Sequence, residues 1–133
     1  MNWTKEQSEA INIRNKNVLV AAAAGSGKTA VLVERIRKLV CEENVPVSSL
    51  LVVTFTKAAA AEMKEKIRKS LTRELRALQD NQRALSKPGQ GAFHFDDEAK
   101  DQIRYIKAQL SDLPQADICT FHAFALTVIK RFF

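Results

Sequence analysis

The stretch Val18–Thr29, VLVAAAAGSGKT, decides how the chain reads. Val18–Ala22 is an apolar run suited to a strand, and it leads directly into a glycine turn closed by Lys28 and Thr29. In a turn of this kind small residues let successive backbone N–H groups converge on a β-phosphate. A lysine ammonium then reaches the β- and γ-phosphates, and the hydroxyl that follows holds Mg²⁺. Ala22, Ala23, Ala24, Gly25, Ser26 and Gly27 would form the cradle, Lys28 the ammonium and Thr29 the metal-binding hydroxyl. The one departure is Ala22, which stands where the usual pattern has its first glycine. Apolar Val31, Leu32, Ile36, Leu39 and Val40 follow at helical spacing, so the phosphate is expected at a helix N-terminus.

The rest of the chain bounds this reading. With 133 residues there is room for one core. Hydrophobic residues make up 46% and charged residues 27%, and no apolar run approaches the roughly 20 residues of a membrane helix. The opening MNWTKEQSEA lacks the greasy core of an export signal, so a cytoplasmic location without membrane attachment is expected. Cys41 and Cys119 lie far apart with no metal-ligand spacing and read as buried thiols. The net charge of +6 points to a polyanionic partner. Much of the basic excess lies in Lys64–Arg76, where Glu62, Glu65 and Glu74 interleave as salt-bridge partners on a solvated helix face.

Ahead of the first strand, Thr4 and Gln7 form a capping box for a short N-terminal helix. Gln7 could fold back over a nucleotide base, since a primary amide both donates and accepts; a plain surface glutamine is the alternative. After the helix that follows the loop, Leu50–Thr54 is a second buried strand, which completes a β-α-β unit of parallel sheet flanked by helices. Thr54, Phe55, Thr56 and Lys57 then fall at the C-terminal edge of the sheet, where open α/β sheets bind ligands. An exposed Phe55 there suits base stacking, and a core phenylalanine is the competing reading. The next helix carries Met63, Ile67, Leu71, Leu75 and Leu78 on one face. Asp80–Asp97, with its Pro-Gly pair, reads as a mobile loop. Its run Ala92–Phe95 before Asp96, Asp97 and Glu98 mimics a strand delivering metal-binding carboxylates, but acidic residues before a helix are ordinary caps. A helix over Asp97–Leu113, a short strand over Asp117–Phe121 and a final amphipathic helix complete the chain. If the strands are parallel neighbours, Thr120 and His122 stand beside Thr54 and Lys57; a structural histidine is the alternative for His122.

Taken in order, EQSEAI (Glu6–Ile11), AAAAGSGKTAVLVERI (Ala21–Ile36), LLVVTFTKAAAAEMKEKI (Leu50–Ile67) and ICTFHAF (Ile118–Phe124) resemble the opening motifs of UvrD/Rep-type superfamily 1 DNA helicases. Within these, the chain is most similar to the AddA-type helicase/nuclease subunits of RecBCD-like repair enzymes. Ala30 and Val31 follow the loop where many UvrD-like members have arginine, and the run Ala58–Ala61 is typical. The resemblance implies a P-loop NTPase, RecA-like fold, and places these residues in the N-terminal part of helicase lobe 1A. It also implies ATP and Mg²⁺ as ligands, with Gln7 reading adenine and Gly25–Thr29 holding the triphosphate. Phe55, with Thr54, Thr56 and Lys57, would contact single-stranded DNA, and Thr120 and His122 would form a second contact. Lys57 stands where the family usually has asparagine, which departs from the family's hydrogen bond there, though a lysine could still pair with phosphate.

By the same resemblance the activity is ATP-driven 3′→5′ translocation in repair of double-strand breaks and recombination, with a second helicase/nuclease subunit, AddB-like, as partner. The family's aspartate–glutamate pair and second-lobe arginines have no counterpart in these residues. An arginine finger alone is worth roughly 10³–10⁵ in rate. The chain is therefore expected to be the N-terminal piece of a longer enzyme and to hydrolyse ATP negligibly by itself. Two rivals compete with this reading. A small-molecule kinase would share the phosphate loop but needs a basic lid and an acceptor site, and a non-hydrolysing nucleotide- or DNA-binding module would share the surface without turnover.

Overall fold

The computed structural model describes residues 2–85 and 95–133, with side chains at all of these except 85, 95 and 96. Helix α1 (Lys5–Asn12) opens on the expected capping box: the Gln7 N–H donates to Thr4 Oγ1 at 3.2 Å and the Thr4 N–H to Gln7 Oε1 at 3.0 Å. Helix α2 (Lys28–Cys41) follows, then a 3₁₀ turn at Val47–Ser49 and strand β1 (Leu51–Thr54). Helix α3 (Lys57–Leu85) is capped by Thr56, whose Oγ1 accepts from the Ala59 N–H at 3.0 Å. Helix α4 (Phe95–Asp112) ends in a 3₁₀ turn, Leu113–Gln115, where Pro114 forbids a continued helix. Strand β2 (Asp117–Thr120) feeds helix α5 (Phe121–Phe132), capped by Thr120, whose Oγ1 accepts from the Ala123 N–H at 3.1 Å.

β1 and β2 pair in parallel with Leu51 opposite Asp117 and Thr54 opposite Thr120. Two of the three strands expected from the sequence are therefore present as parallel neighbours, joined by a crossover through α3 and α4. β1 is only partly buried, with Leu51 exposed, and the expected β-α-β unit through α2 does not form among the described residues. α3 reaches Leu85, inside the stretch read as a loop, and α4 begins at Phe95. Residues 86–94, which include most of the Ala92–Phe95 run, lie outside the described residues.

One expectation needs correction. Val18–Ala22 forms no strand: among the described residues the sheet has two strands, and Val18, Leu19 and Val20 are exposed, Leu19 by 92%. An apolar sequence becomes a parallel strand only when a neighbour completes its hydrogen-bond ladder and layers cover both faces. Among the described residues neither is supplied. The stretch instead runs as an irregular connection between α1 and α2, entered through Asn15 at φ 58°.

The core lies between α2, α3, α4 and one face of the sheet. Ile36, Val40, Met63, Ile67, Leu71, Ile106, Leu113 and Ile118 meet there, with Val52 and Leu75 packed at its margin. The helical spacing in the sequence thus selected most of the buried positions of α2, α3 and α4, but Leu32 is exposed and the final helix α5 buries none of its residues among the described ones. Cys41 joins this core as a free thiol, and burial pushes its pKa up to about 12. Around the core, Arg37 ties α2 to α3: its guanidinium pairs with Glu34 and Glu42 at 2.8 Å and with Glu74 at 3.3 Å. Lys66 with Glu62 and Arg68 with Glu65 form the expected pairs along the exposed face of α3. No helix among the described residues is long and apolar enough to cross a membrane.

Among the described residues Gln109, like the polar Ser70 and Thr120, is buried. Its Oε1 accepts from the Val47 N–H at 2.9 Å, which satisfies the backbone at the turn leading into β1. Gln109→Ala leaves that donor buried and unpaired, at a cost of about 1–3 kcal/mol. Equilibrium urea unfolding checks this: a midpoint equal to that of the unaltered chain would contradict it.

Candidate nucleotide and nucleic-acid site

The turn before α2 is built on two left-handed glycines, Gly25 at φ 78° and Gly27 at φ 82°. Residues with a Cβ adopt such angles at a cost of about 1–2 kcal/mol, which explains why glycine stands at both places. Gly27 is the N-cap of α2, and no side chain caps the helix there. The first N–H groups of α2 are therefore not taken by a cap, and the helix dipole adds its positive end. Both features favour an anion.

Lys28 lies back over the turn that precedes it. Its ammonium donates to the Ala22 carbonyl at 2.6 Å and to the Ala23 carbonyl at 3.1 Å. The Ser26 N–H donates to the Ala23 carbonyl at 3.2 Å and closes the turn, while Ser26 Oγ is buried without a partner. Thr29 is exposed on the first turn of α2. Gln7 reaches across from α1, its Nε2 donating to the Ser26 carbonyl at 3.2 Å. Both ends of its amide are thus engaged, the oxygen in the capping box and the nitrogen on the loop. Its neighbour Glu6 has its carboxyl held below the usual range by hydrogen bonds from its own N–H and from Thr4.

A second cluster sits where the strands end. The Thr54–Thr120 register sets the two strand tips side by side, and each tip is followed at once by an aromatic residue. Phe55 and Phe121 stand with ring centroids 5.4 Å apart and planes inclined by 44°. Phe55 is 89% exposed. Among the described residues Phe55 therefore takes no part in the core. Thr54 Oγ1 donates to the Thr56 carbonyl at 2.9 Å, which shapes the turn that projects Phe55. Lys57 and His122 lie exposed in the first turns of α3 and α5. Thr56 and Thr120 spend their hydroxyls on helix caps, so both act in local architecture.

The structure therefore brings together Gln7 with Ser26, Lys28 with Ala22 and Ala23, Thr54 with Thr120 and Phe55 with Phe121, with His122 next in the first turn of α5. Phe121 was not singled out from the sequence, although an aromatic residue at the C-terminal tip of a strand, paired in register with the tip before Phe55, carried the signal. Among the described residues no group of three or more His, Cys, Asp or Glu side chains could hold a metal ion, and Asp97 lies exposed beside Lys100 at 3.9 Å.

Comparison with known proteins gives the family of the chain. Residues 3–133 match the family model described as the UvrD/REP helicase N-terminal domain. The chain is 44% identical over 132 residues to the ATP-dependent helicase/nuclease A-subunit of Lactobacillus gasseri. It is 47% identical over 131 residues to the protein of that name from Clostridium beijerinckii, and 46% identical over 134 residues to the one from Clostridium acetobutylicum. These alignments take in 97–99% of this chain and 9% of each relative, so the chain spans about a tenth of their length.

The glycine geometry leads to a direct test. Gly27→Ala meets ordinary van der Waals contact, with Gln7 Nε2 at 3.5 Å from the added Cβ, so its penalty is that of the backbone angle alone. A loss of about 1–2 kcal/mol is expected from thermal or urea unfolding. An unchanged stability would show that the loop relaxes to a different backbone at no cost.

Proposed function

Because the chain belongs to the UvrD/REP helicase N-terminal domain family, we propose that it is the ATP-binding and DNA-contacting opening part of an ATP-dependent 3′→5′ DNA helicase, the AddA-type component of a helicase/nuclease working in double-strand-break repair and recombination. The observation that carries this reading is the uncapped, glycine-built N-terminus of α2 with the Lys28 ammonium folded over it. In this reading the fold is the beginning of a RecA-like lobe.

The residues present fit a nucleoside triphosphate. Gly25 and Gly27 hold backbone angles that expose N–H groups, and Ser26 Oγ is a buried hydroxyl with no partner. The Ala22 and Ala23 carbonyls that accept from Lys28 are neutral acceptors, which phosphate oxygens out-compete by their charge. Gly25–Thr29 would bind the phosphates, Lys28 would neutralise the β- and γ-oxygens, and Thr29 would hold Mg²⁺. When bound, ATP supplies the phosphoryl group whose transfer to water powers translocation. Gln7 would turn one end of its amide to the base, so reading adenine and holding the Ser26 carbonyl become alternatives for the same nitrogen.

On the other cluster, Phe55 and Phe121 offer π-faces to unpaired bases, and Lys57 and His122 supply donors for phosphate. Thr54, Thr56 and Thr120 hold the turns that carry them. Stacking tolerates any base, as a translocating enzyme requires. Hydrolysis, an AddB-like partner and the cytoplasmic location are proposed for the whole protein, and the isolated chain is proposed to hydrolyse ATP negligibly.

Lys28→Ala in the full-length protein is expected to abolish measurable ATP binding in calorimetry and with it DNA-stimulated hydrolysis. Unchanged affinity would remove the cradle assignment. Phe55→Ala is expected to weaken single-stranded oligonucleotide binding by about 1–3 kcal/mol, read by fluorescence anisotropy, while ATP affinity in the absence of DNA stays at its original value. If oligonucleotide affinity is indifferent to Phe55→Ala and to Phe121→Ala alike, the aromatic pair is not on the DNA track.

A further inference from the structure

A cleft of about 380 Å³ opens between the start of α1, the first turns of α2 and the middle of α3. Its floor is apolar, made by Trp3, Ala30 and Val33. Along one wall stand Lys66, Lys69 and Arg73, at the three- and four-residue spacing that puts them on one side of α3. Between these cations Ser70 is only 7% exposed, and its Oγ has no hydrogen-bond partner. Glu34 also borders the cleft, but its carboxylate is taken by Arg37, which donates to it from Nε and Nη2.

We propose that this cleft docks an acidic segment of a partner protein, which seats one apolar side chain on the Trp3 floor and sets its carboxylates against Lys66, Lys69 and Arg73. Four features select this occupant. Arg73 has no ion pair among the described residues. Among the described residues Lys66 and Lys69 pair only with the exposed Glu62 and Glu65, at 2.6 and 3.7 Å. Exposed pairs of this kind are worth about 0–1 kcal/mol, so an incoming carboxylate displaces them readily. The cations, from Lys66 to Arg73, span eight residues of helix, about 10 Å along its axis, which one carboxylate or one phosphate cannot cover. Finally, an apolar floor rewards a buried side chain and gives a nucleic-acid backbone nothing, since phosphate contacts rest on charge. The unpartnered Ser70 hydroxyl is a ready donor to the segment's backbone or carboxylate. The cleft shares no residue with the phosphate turn at residues 22–29 or with the Phe55–Phe121 cluster, so the proposal stands independently of the function proposed above.

The test is selection from a displayed random dodecapeptide library on the full-length protein, followed by anisotropy measurement of the leading synthetic peptide. Expected are enriched peptides with an apolar residue flanked by Asp or Glu, whose affinity falls about tenfold or more in Lys69→Glu/Arg73→Glu. Ser70→Ala is expected to weaken binding to a smaller extent. Both altered cations are exposed, so the double variant is expected to keep the wild-type unfolding midpoint. Enrichment without acidic bias, or acidic peptides that bind the charge-reversed variant equally well, would overturn the proposal. So would a thymidine 20-mer that competes with the peptide and loses affinity in the same variant, because the cleft would then be a nucleic-acid surface.

Discussion

A ladder only four residues long, Leu51–Thr54 against Asp117–Thr120, holds the arrangement together. Because the pairing is parallel, the chain must travel the full length of α3 and back along α4 before β2 can form. That return path is what brings Ile67 and Leu71 of α3 and Ile106 of α4 into one core with Ile36 and Val40 of α2. The in-register meeting of Thr54 with Thr120 also fixes where α3 and α5 begin. Each threonine-led tip becomes a helix start, and an aromatic ring is left projecting from each turn.

The two clusters obey different physics. At the glycine turn before α2 the proposed function rests on the backbone: positive φ at Gly25 and Gly27 and an uncapped helix end favour negative charge. Side chains there act by reaching in, Lys28 from the helix itself and Gln7 from α1. At the strand tips the proposed function rests on side chains, and the backbone is closed off by threonine caps. Phe55 keeps most of its apolar surface in water and Phe121 about half, so the pair stabilises this fold less than a buried pair would.

Helix α2 couples these parts to the core. Its N-terminal end faces the phosphate turn, its inner face carries Val31, Ile36 and Val40, and Arg37 locks its middle to α3 through Glu74. The same helix lends Ala30 and Val33 to the cleft opposite the cationic wall of α3. A displacement of α2 would therefore be felt at each of these places, since close-packed interiors transmit strain.

The sequence alone determined what depends on short range. The capping box at Thr4 and Gln7, the glycine turn, the inward faces of α2, α3 and α4 and the strands at Leu51–Thr54 and Asp117–Thr120 follow from local pattern, because caps, turns and helical periodicity are satisfied within a few residues. Four ordered motifs also carried the family. Tertiary structure alone decided three other matters. Val18–Ala22 has the composition of a strand, yet a strand requires a neighbour's hydrogen bonds, and composition cannot supply them. Phe121 looked like the last residue of a strand until register set it against Phe55. Lys66, Lys69 and Arg73 read as one solvated face among many, and only the packing of α1 and α2 against α3 turned that face into the wall of a cleft. In each case the deciding contact joins residues far apart in the chain, which no local pattern encodes.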